Sequence, residues 1–423
     1  MSRLPTVLGT AVAIGAIALG ADLPPGGLMG RSGPVAAGAM HAPIEGFGAG
    51  TPGGASKPEC VVTSLFDSGP GSLRECVAGG NRYVRFAVAG TIPLLSQIDV
   101  HGPFVTIDGF SAPSPGITLR GWGLNIWDTT PGAHDIIVRG LRIREVGGAP
   151  ARKSSTDCLG LNGPGVMNIV IDHVSISDCA DGGIDISSGP KNITIQWSIV
   201  SASKAMLWGS TSSSTFRSTD RISMHHTVVM CGDDDRGCDR FPLIRASGYA
   251  VTADLRHNIF GRWLRANGTK IEAAARANVV GNAYLPRPDS SFSQRQQSIA
   301  VAPGTRVYTA GNLELGAPPR PDLDENGNEA HPLPAPAVTP RALGCVIRDA
   351  GMHPRDAVDQ ALLAYASPVP SGCNDTAPAP PPRAPITSTG HGRRHTLGRL
   401  DGSCRRSRRG RRVEGARALV VCG

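Results

Sequence analysis

A 24-residue step in the sequence constrains the fold of this chain more than any other feature. The segments Asn168-Ile-Val-Ile-Asp-His-Val-Ser-Ile and Asn192-Ile-Thr-Ile-Gln-Trp-Ser-Ile-Val align position by position at that step. Short β-branched strands that recur at such a period are typical of solenoids, in which each coil stacks on its neighbour. The repeat therefore predicts an all-β chain folded as a right-handed parallel β-helix.

Further strand-like segments follow at unequal steps. The segments that start at residues 135, 168, 192 and 221 are separated by steps of 33, 24 and 29 residues. Strands of constant character with variable steps indicate loops inserted on one side of the coils, where binding sites usually lie. A β-sandwich is the main alternative, because it too is built from short, spaced strands.

The ends of the chain differ in composition from its middle. Arg3 precedes an apolar run from Val7 to Leu19. This run is shorter than the roughly 18–20 residues needed to cross a bilayer. Residues 1–21 therefore predict a signal peptide and a secreted protein, with an uncleaved membrane anchor as the alternative. Once the signal is removed, no membrane association is expected.

The remaining chain divides into four predicted parts. These are a flexible Gly/Pro-rich leader (22–57), a β-helix catalytic domain (58–290), an irregular flank packing on the β-helix (291–373) and a disordered Arg-rich tail (374–423). Ser72-Leu-Arg-Glu75 has the pattern of a capping box and predicts a short helix over the first coil. The flank contains one helical stretch, residues 356–365.

The formal net charge of +8 lies in the tail rather than in the folded body. From Asn374 onward there are eleven Arg and three acidic residues, so residues 1–373 are close to neutral. A neutral body does not predict a nucleic-acid partner. We expect a monomer, with a solvated tail or one that attaches to an acidic polymer.

Ten cysteines indicate an oxidising destination. Connectivity does not follow from sequence alone, and the local pairing is one candidate among many. It would join Cys60 to Cys76, Cys158 to Cys179, Cys231 to Cys238, Cys345 to Cys373 and Cys404 to Cys422.

Three aspartates are candidate metal ligands. Asp157 and Asp181 are one 24-residue step apart, which predicts matching places on neighbouring coils, about 4.8 Å from each other. Asp185 lies an even number of residues after Asp181, so both would face the same way in an extended segment. Three converging carboxylates repel one another and suit a hard cation such as Ca²⁺. The alternative is turn aspartates on a solvated face.

Four motifs in order give the chain a resemblance to a known family. They are Ile171-Asp172-His173, Asp181-Gly182-Gly183-Ile184-Asp185, Lys204-Ala-Met-Leu-Trp-Gly209 and Arg240-Phe-Pro242-Leu-Ile-Arg245. Over roughly residues 60–285 the chain resembles the pectate lyase superfamily, polysaccharide lyase family 1.

The resemblance implies roles for six residues. Asp157, Asp181 and Asp185 would bind Ca²⁺, and Lys204 and Arg245 would hold substrate carboxylates. Arg240 would be the base that removes the C5 proton of galacturonate. The expected reaction is β-elimination on polygalacturonate, an acidic polysaccharide, which yields 4,5-unsaturated oligogalacturonides. Arg240 and Arg245 could instead form surface ion pairs with Asp233-Asp-Asp235.

Three other functions are compatible with a β-helix of this kind. A pectin lyase acts on methylated polymer without calcium, and the three aspartates argue against it. A hydrolase would use paired carboxylates and water. A non-catalytic polyuronate-binding β-helix or adhesin would bind without turnover.

One further set of aligned residues predicts structure rather than chemistry. His173, Trp197 and His226 share a place in the coil alignment, which favours a structural stack. Thr227 stands where the family usually has Asn, so we expect a weakened asparagine ladder beside that stack.

Overall fold

A computed structural model describes most of the chain between residues 43 and 373. The described residues are 43–128, 130, 132–146, 156–209, 219–232, 238–246, 249, 251–263, 267–272, 274–287, 298–315 and 333–373. They belong to one compact unit within residues 1–379. The predicted signal peptide (1–21) and tail (374–423) lie outside them. In this described part, no helix has the length and apolarity to cross a membrane.

Successive strands enter three sheets in turn, here called sheets A, B and C. Sheet A contains β1 (Glu59–Val62), β2 (Arg82–Phe86), β5 (Val105–Asp108), β8 (His134–Arg139), β11 (Met167–Asp172), β14 (Lys191–Gln196), β17 (Asp220–His225), β20 (Thr252–Arg256), β23 (Arg276–Val280) and β26 (Arg306–Ala310). Sheet B contains β3 (Gly90–Pro93), β6 (Ile117–Arg120), β9 (Leu141–Arg144), β12 (Ser175–Ser177), β15 (Ile199–Val200), β18 (Val228–Met230), β21 (Ile259–Gly261), β24 (Ala283–Leu285) and β27 (Leu313–Glu314). Sheet C contains β4 (Ile98–Val100), β7 (Leu124–Trp127), β10 (Leu159–Asn162), β13 (Ile184–Ser187), β16 (Leu207–Gly209), β19 (Leu243–Arg245), β22 (Thr269–Ile271) and β25 (Ile299–Val301).

Within each sheet, neighbouring strands come from successive coils and pair in parallel. The predicted right-handed parallel β-helix is thereby confirmed. In sheet A, Ile169 pairs with Ile193 across the 24-residue step, and Ile193 pairs with Ile222 across a step of 29, so the aligned segments keep their register although the loops differ in length. All three side chains are fully buried. Burying such a side chain stabilises the fold by about 1.5–3 kcal/mol relative to leaving it exposed.

A stack of rings lies at the two-residue turns from sheet A to sheet B. Ring centroids are 6.1 Å apart for His173 and Trp197, 4.3 Å for Trp197 and His226, and 5.5 Å for His226 and His257. All four residues have φ between 48° and 54°, in the left-handed region that a tight turn requires. The predicted stack is confirmed and extends one coil further, to His257.

The next residue of each turn carries a ladder of side-chain hydrogen bonds. Asn258 Nδ2 donates to Asn282 Oδ1 at 2.9 Å, and Asn282 Nδ2 donates to Asn312 Oδ1 at 3.1 Å. Toward the N-terminus hydroxyls replace the amides, and the backbone N–H of Ser198 donates to Thr227 Oγ1 at 3.3 Å. The ladder is therefore weaker on that side, as Thr227 predicts.

We expect Asn282→Ala to lower the free energy of unfolding by about 1–3 kcal/mol, because it leaves two buried donors of Asn258 without their acceptor. Urea denaturation measures this. Asn125→Ala is the matched control, because Asn125 also forms side-chain hydrogen bonds, in β7 outside the ladder, but is only half-buried. An equal or smaller loss for Asn282→Ala would contradict a structural role for the ladder.

The N-terminal coil is capped by α1 (Leu73–Val77), as predicted. Ser72 Oγ accepts from the Glu75 backbone N–H at 3.2 Å, and Glu75 Oε2 accepts from the Gly71 N–H at 2.6 Å. Leu73, Cys76 and Val77 are buried in the core beneath the first strands. The helix thus closes the apolar end of the coil.

Two helices of the C-terminal flank pack against sheet B. These are α2 (Leu343–Asp349) and α3 (Ala357–Ala364). Leu362 and Leu363 of α3 contribute to a buried apolar cluster with sheet B residues. Arg144 NH2 donates to Asp359 Oδ1 at 2.8 Å in a buried ion pair.

Two predicted boundaries differ from the structure. Strands β25–β27 continue the β-helix to Glu314, beyond the expected end at 290. The sequence signal for this coil is weak, because β25 and β27 are only three and two residues long. Residues 43–57 of the predicted flexible leader lie across sheet A, where the Gly48 N–H donates to Thr194 Oγ1 at 2.8 Å. Their glycines permit close approach, since a Cβ on Gly54 would lie 2.0 Å from Arg82 O.

Four of the five candidate disulfides are present. They join Cys60 to Cys76, Cys158 to Cys179, Cys231 to Cys238 and Cys345 to Cys373. The fifth candidate pair, Cys404 with Cys422, lies outside the described residues. Pairing of cysteines close in sequence therefore holds throughout the described chain.

Candidate active site

The six candidate residues lie in or next to the loops that run from sheet B to sheet C. Asp157, Asp181, Lys204 and Arg240 each precede a strand of sheet C in these loops. Asp185 lies in β13, and Arg245 ends β19. The coil stacking therefore brings residues that are up to 88 positions apart in the sequence onto one edge of sheet C.

Two carboxylates converge over Gly182. Asp157 Oδ1 accepts from the Gly182 N–H at 2.8 Å, and Asp185 Oδ1 accepts from the Leu207 N–H at 2.8 Å. A Cβ built on Gly182 would lie 2.6 Å from Asp185 Oδ1 and 2.7 Å from Asp157 Oδ1. Only glycine leaves room for both oxygens, which explains the first glycine of the Asp181-Gly-Gly-Ile-Asp185 motif.

Burial and mutual repulsion make these carboxylates reluctant to ionise together. Burial, with the charge of Asp181 as a smaller cause, raises the pKa of Asp157 to about 6. Burial also raises the pKa of Asp185 to about 8, with the charge of Asp157 as the next cause. A nearby cation would oppose these shifts, because it favours the ionised carboxylates.

Asp181 is held differently. Its carboxylate forms an ion pair with Lys204 Nζ, and Gly182 and Lys204 are bridge partners on neighbouring coils. Lys204 therefore lies beside the aspartates, one coil after Asp181.

The predicted match between Asp157 and Asp181 is wrong by one residue. In sheet C, Leu159 pairs with Ile184, a step of 25, so Asp157 lies opposite Gly182. The loop from sheet B to sheet C carries the additional residue, whereas the sheet A strands keep the step of 24. Among the described residues, no three His, Cys, Asp or Glu side chains are arranged as a metal cluster.

Arg240 points toward the same carboxylates. Its NH1 is 3.9 Å from Asp185 Oδ2, and its Nε is 3.8 Å from Asp239 Oδ1. The backbone of Arg240 has φ 65°, in the left-handed region. Residues other than glycine adopt this region rarely, and such residues concentrate at functional sites.

Arg245 lies one coil beyond Lys204 on the outward face of sheet C. Its Nε is 3.1 Å from Glu272 Oε2, and Lys270 Nζ is 3.3 Å from Glu272 Oε1. Arg245 therefore lies next to the site, and its ion pair is with Glu272 rather than with Asp157 or Asp185. The acidic loop Asp233-Asp-Asp235, an alternative partner for Arg240 and Arg245, lies outside the described residues.

Sequence reasoning missed Asp239 and Glu272, which pair with the two arginines. The alternation in Lys270-Ile-Glu272 could have indicated Glu272, because residues two apart in a strand face the same side. No sequence pattern indicated Asp239, because its place beside Arg240 comes with the left-handed backbone of that arginine.

The donor set of the aspartates fits a hard divalent cation. Asp157, Asp181 and Asp185 offer only carboxylate oxygens, which Ca²⁺ prefers. Asp157 and Asp185 already face a common point above Gly182, whereas Asp181 would have to exchange Lys204 for the cation. The carboxylate oxygens of these three residues fit Ca²⁺. To bind the cation, the Asp181 side chain would have to turn away from Lys204.

Comparisons with known proteins give a consistent picture. No protein-family model matches the chain. A probable pectate lyase C from Aspergillus flavus is 30% identical over 341 residues, which is 76% of this chain and 75% of that protein.

Two solved structures share the fold. A Bacillus subtilis pectate lyase variant has a TM-score of 0.54 at 16% identity and covers 76% of this chain and 100% of its own. A pectate lyase from a Bacillus species, in complex with trigalacturonate, has a TM-score of 0.50 at 17% identity and covers 73% of this chain and 98% of its own. At these identities the likeness shows the fold alone.

Proposed function

Because the chain belongs to the pectate lyase superfamily and is a polysaccharide lyase, we propose that it is a secreted, Ca²⁺-dependent pectate lyase. Its substrate would be polygalacturonate, cleaved by β-elimination to 4,5-unsaturated oligogalacturonides by a monomeric enzyme. The observation that carries this proposal is the convergence of Asp157 and Asp185 on one point, with Arg240 close to Asp185.

The reaction needs negative charge to be neutralised as it develops. The C5 proton of galacturonate lies α to a carboxylate, so its removal concentrates charge on that carboxylate. The C5–H electrons form the C4–C5 double bond, the C4–O bond breaks, and the departing oxygen takes a proton from solvent. Groups that stabilise the developing charge therefore accelerate the reaction most.

The residues around the site divide this work. We assign Asp157, Asp181 and Asp185 to hold Ca²⁺, which would bind the uronate and act as a Lewis acid toward its carboxylate. Lys204, whose side chain is 44% exposed, can turn from Asp181 to a substrate carboxylate. Arg245 can hold a second carboxylate from the next coil, in place of Glu272.

Arg240 is assigned as the base. The arginine side chain is ordinarily protonated. To accept the C5 proton, Arg240 must first lose its own proton and become neutral. Once Asp185 ligates a cation, its carboxylate is no longer available to pair with Arg240 at 3.9 Å. The planar guanidinium would then face the substrate rather than Asp185.

Secretion is supported by the disulfides. Four are present among the described residues, and disulfides persist mainly in oxidising compartments. The predicted signal peptide itself lies outside the described residues.

The nature of the products tests the proposed reaction. We expect the protein to convert polygalacturonate into oligomers that absorb in the ultraviolet, because β-elimination leaves a double bond conjugated with the carboxylate. Mass spectrometry should find that each cleavage yields one unsaturated fragment lighter by one water than the corresponding hydrolysis product. New reducing ends without ultraviolet absorbance would instead indicate a hydrolase, and binding without any product would indicate an adhesin.

A further inference from the structure

A row of polar side chains crosses the outward face of sheet C on the N-terminal side of the site. Asn125 Nδ2 donates to Asp99 Oδ1 at 2.9 Å, and Asn162 Nδ2 donates to Asn125 Oδ1 at 3.2 Å. Ser187 Oγ, in the same strand as Asp185, donates to Asn162 Oδ1 at 2.5 Å. This polar row, Asp99–Asn125–Asn162–Ser187, thus leads over four strands up to the candidate active site.

Glycine keeps the surface of the polar row flat. Gly160 stands opposite both Asn125 and Asp185 in the strand register. A Cβ there would lie 2.8 Å from Asn125 Oδ1 and 2.9 Å from Asn162 Nδ2. A polysaccharide chain could therefore lie directly over the two amides.

The charges on the two sides of the site differ. The four strands of the polar row, β4, β7, β10 and β13, contain neither Lys nor Arg. On the other side, β19 and β22 carry Arg245 and Lys270. Two acidic residues lie on the N-terminal side: the exposed Asp99, where the polar row begins, and Asp128, which directly follows β7. Among the described strands of sheet C, Lys and Arg thus lie only on the C-terminal side.

Trp127 adds an apolar platform beside the polar row. It is 44% exposed, and it pairs in register with Asn162, which pairs with Ser187. Trp127 is therefore two coils, or ~10 Å, from Ser187. The His101 ring packs edge-on against it at 5.5 Å, and His101 Nδ1 is 2.8 Å from Trp127 O. An exposed, supported indole is a surface on which the C–H face of a sugar or a methyl group can pack.

We propose that the polar row and Trp127 bind methyl-esterified galacturonate residues, so that the substrate is a partly methyl-esterified polygalacturonate. The inference rests on the proposed function for the reacting, unesterified residue only. A free uronate over the row would face Asp99, and the described strands of the row supply no cation to offset its charge, which disfavours it. An ester carries no charge, its carbonyl can accept from the Asn125 or Asn162 amide, and its methyl group can contact Trp127.

Binding measurements test this inference without depending on turnover. Isothermal titration would compare two oligogalacturonides of equal length, one a free acid and one half methyl-esterified. The titrations would use the Arg240→Lys background, where cleavage should be at least about a hundredfold slower, and mass spectrometry after each titration would check that the oligomer is intact. We expect the half-esterified oligomer to bind about tenfold more tightly.

Three substitutions locate the effect. Asn125→Lys places a cation in the polar row and should abolish or reverse the preference for the ester. Trp127→Ala should weaken binding of the half-esterified oligomer about fivefold to tenfold. Val61→Lys is the control, because Val61 is also 44% exposed but lies in sheet A.

The outcomes separate this inference from the proposed function. Equal or tighter binding of the free acid, or an ester preference that neither Asn125→Lys nor Trp127→Ala changes, would overturn the inference while lyase activity could stand. An ester preference that depends on Asn125, in a protein that forms no unsaturated product from any polymer, would support the polar row and overturn the lyase.

Discussion

Arg240→Lys is expected to lower kcat at least about a hundredfold, a loss of ~2.7 kcal/mol of transition-state stabilisation. Lysine conserves the positive charge but replaces a rigid planar fork with a flexible ammonium, which does not reproduce the geometry of a base aimed at C5. KM should change little, because proton abstraction belongs to the transition state. Initial rates of unsaturated product formation measure both constants.

Arg256→Lys is the matched control for this prediction. Arg256 is 22% exposed, close to the 21% of Arg240, and pairs with Asp254 on sheet A, away from the site. Arg245→Lys should raise KM as well as lower kcat, because Arg245 would already bind a carboxylate in the ground state. A variant Arg240→Lys that kept more than about a tenth of parental kcat would not support Arg240 as the base.

Asp181→Ala is expected to weaken Ca²⁺ binding at least about tenfold and to suppress turnover, while the fold persists. The loss follows from removing one of three proposed oxygen ligands. The fold should persist because the side chain is 24% exposed and its ion pair is with Lys204, an exposed cation. Calorimetric titration with Ca²⁺ measures the affinity, and circular dichroism monitors the fold.

The control for Asp181→Ala is Asp220→Ala. Asp220 has a similar exposure, 28%, and also pairs with a cation, Arg221, but it lies in sheet A. It should leave Ca²⁺ affinity at the parental level. If Asp181→Ala bound Ca²⁺ as tightly as the parent, Asp181 would not be a ligand.

Strand alternation and the 24-residue repeat made the architecture predictable. Buried positions such as Ile169 and Ile193 keep the same place on each coil, so the sequence records the register of sheet A directly. The ring stack was predictable for the same reason, because each turn from sheet A to sheet B has the same two-residue length at His173, Trp197 and His226.

The site was less predictable because it depends on loops of unequal length. The step changes from 24 in sheet A to 25 in sheet C at this coil, and a single residue moves the partner of Asp157 from Asp181 to Gly182. The partners of Lys204, Arg240 and Arg245 depend on side-chain direction, which residue spacing does not record.

Composition was misleading where glycine has two opposite uses. The glycines of residues 43–57 indicate flexibility by composition, yet Gly48 and Gly54 allow the backbone to lie against sheet A. Glycine frees an unfolded chain and also permits close packing in a folded one. Sequence alone does not distinguish these roles.

Calcium dependence of the elimination tests the central claim most directly. The initial rate of ultraviolet-absorbing product from polygalacturonate would be measured before EDTA, after EDTA, and after addition of Ca²⁺ or Mg²⁺ in excess. We predict that EDTA abolishes the rate and that Ca²⁺ restores it. Mg²⁺ should not, because it requires a tighter octahedral set of ligands than three carboxylates on separate loops provide. An undiminished rate in EDTA would contradict a catalytic Ca²⁺ held by Asp157, Asp181 and Asp185.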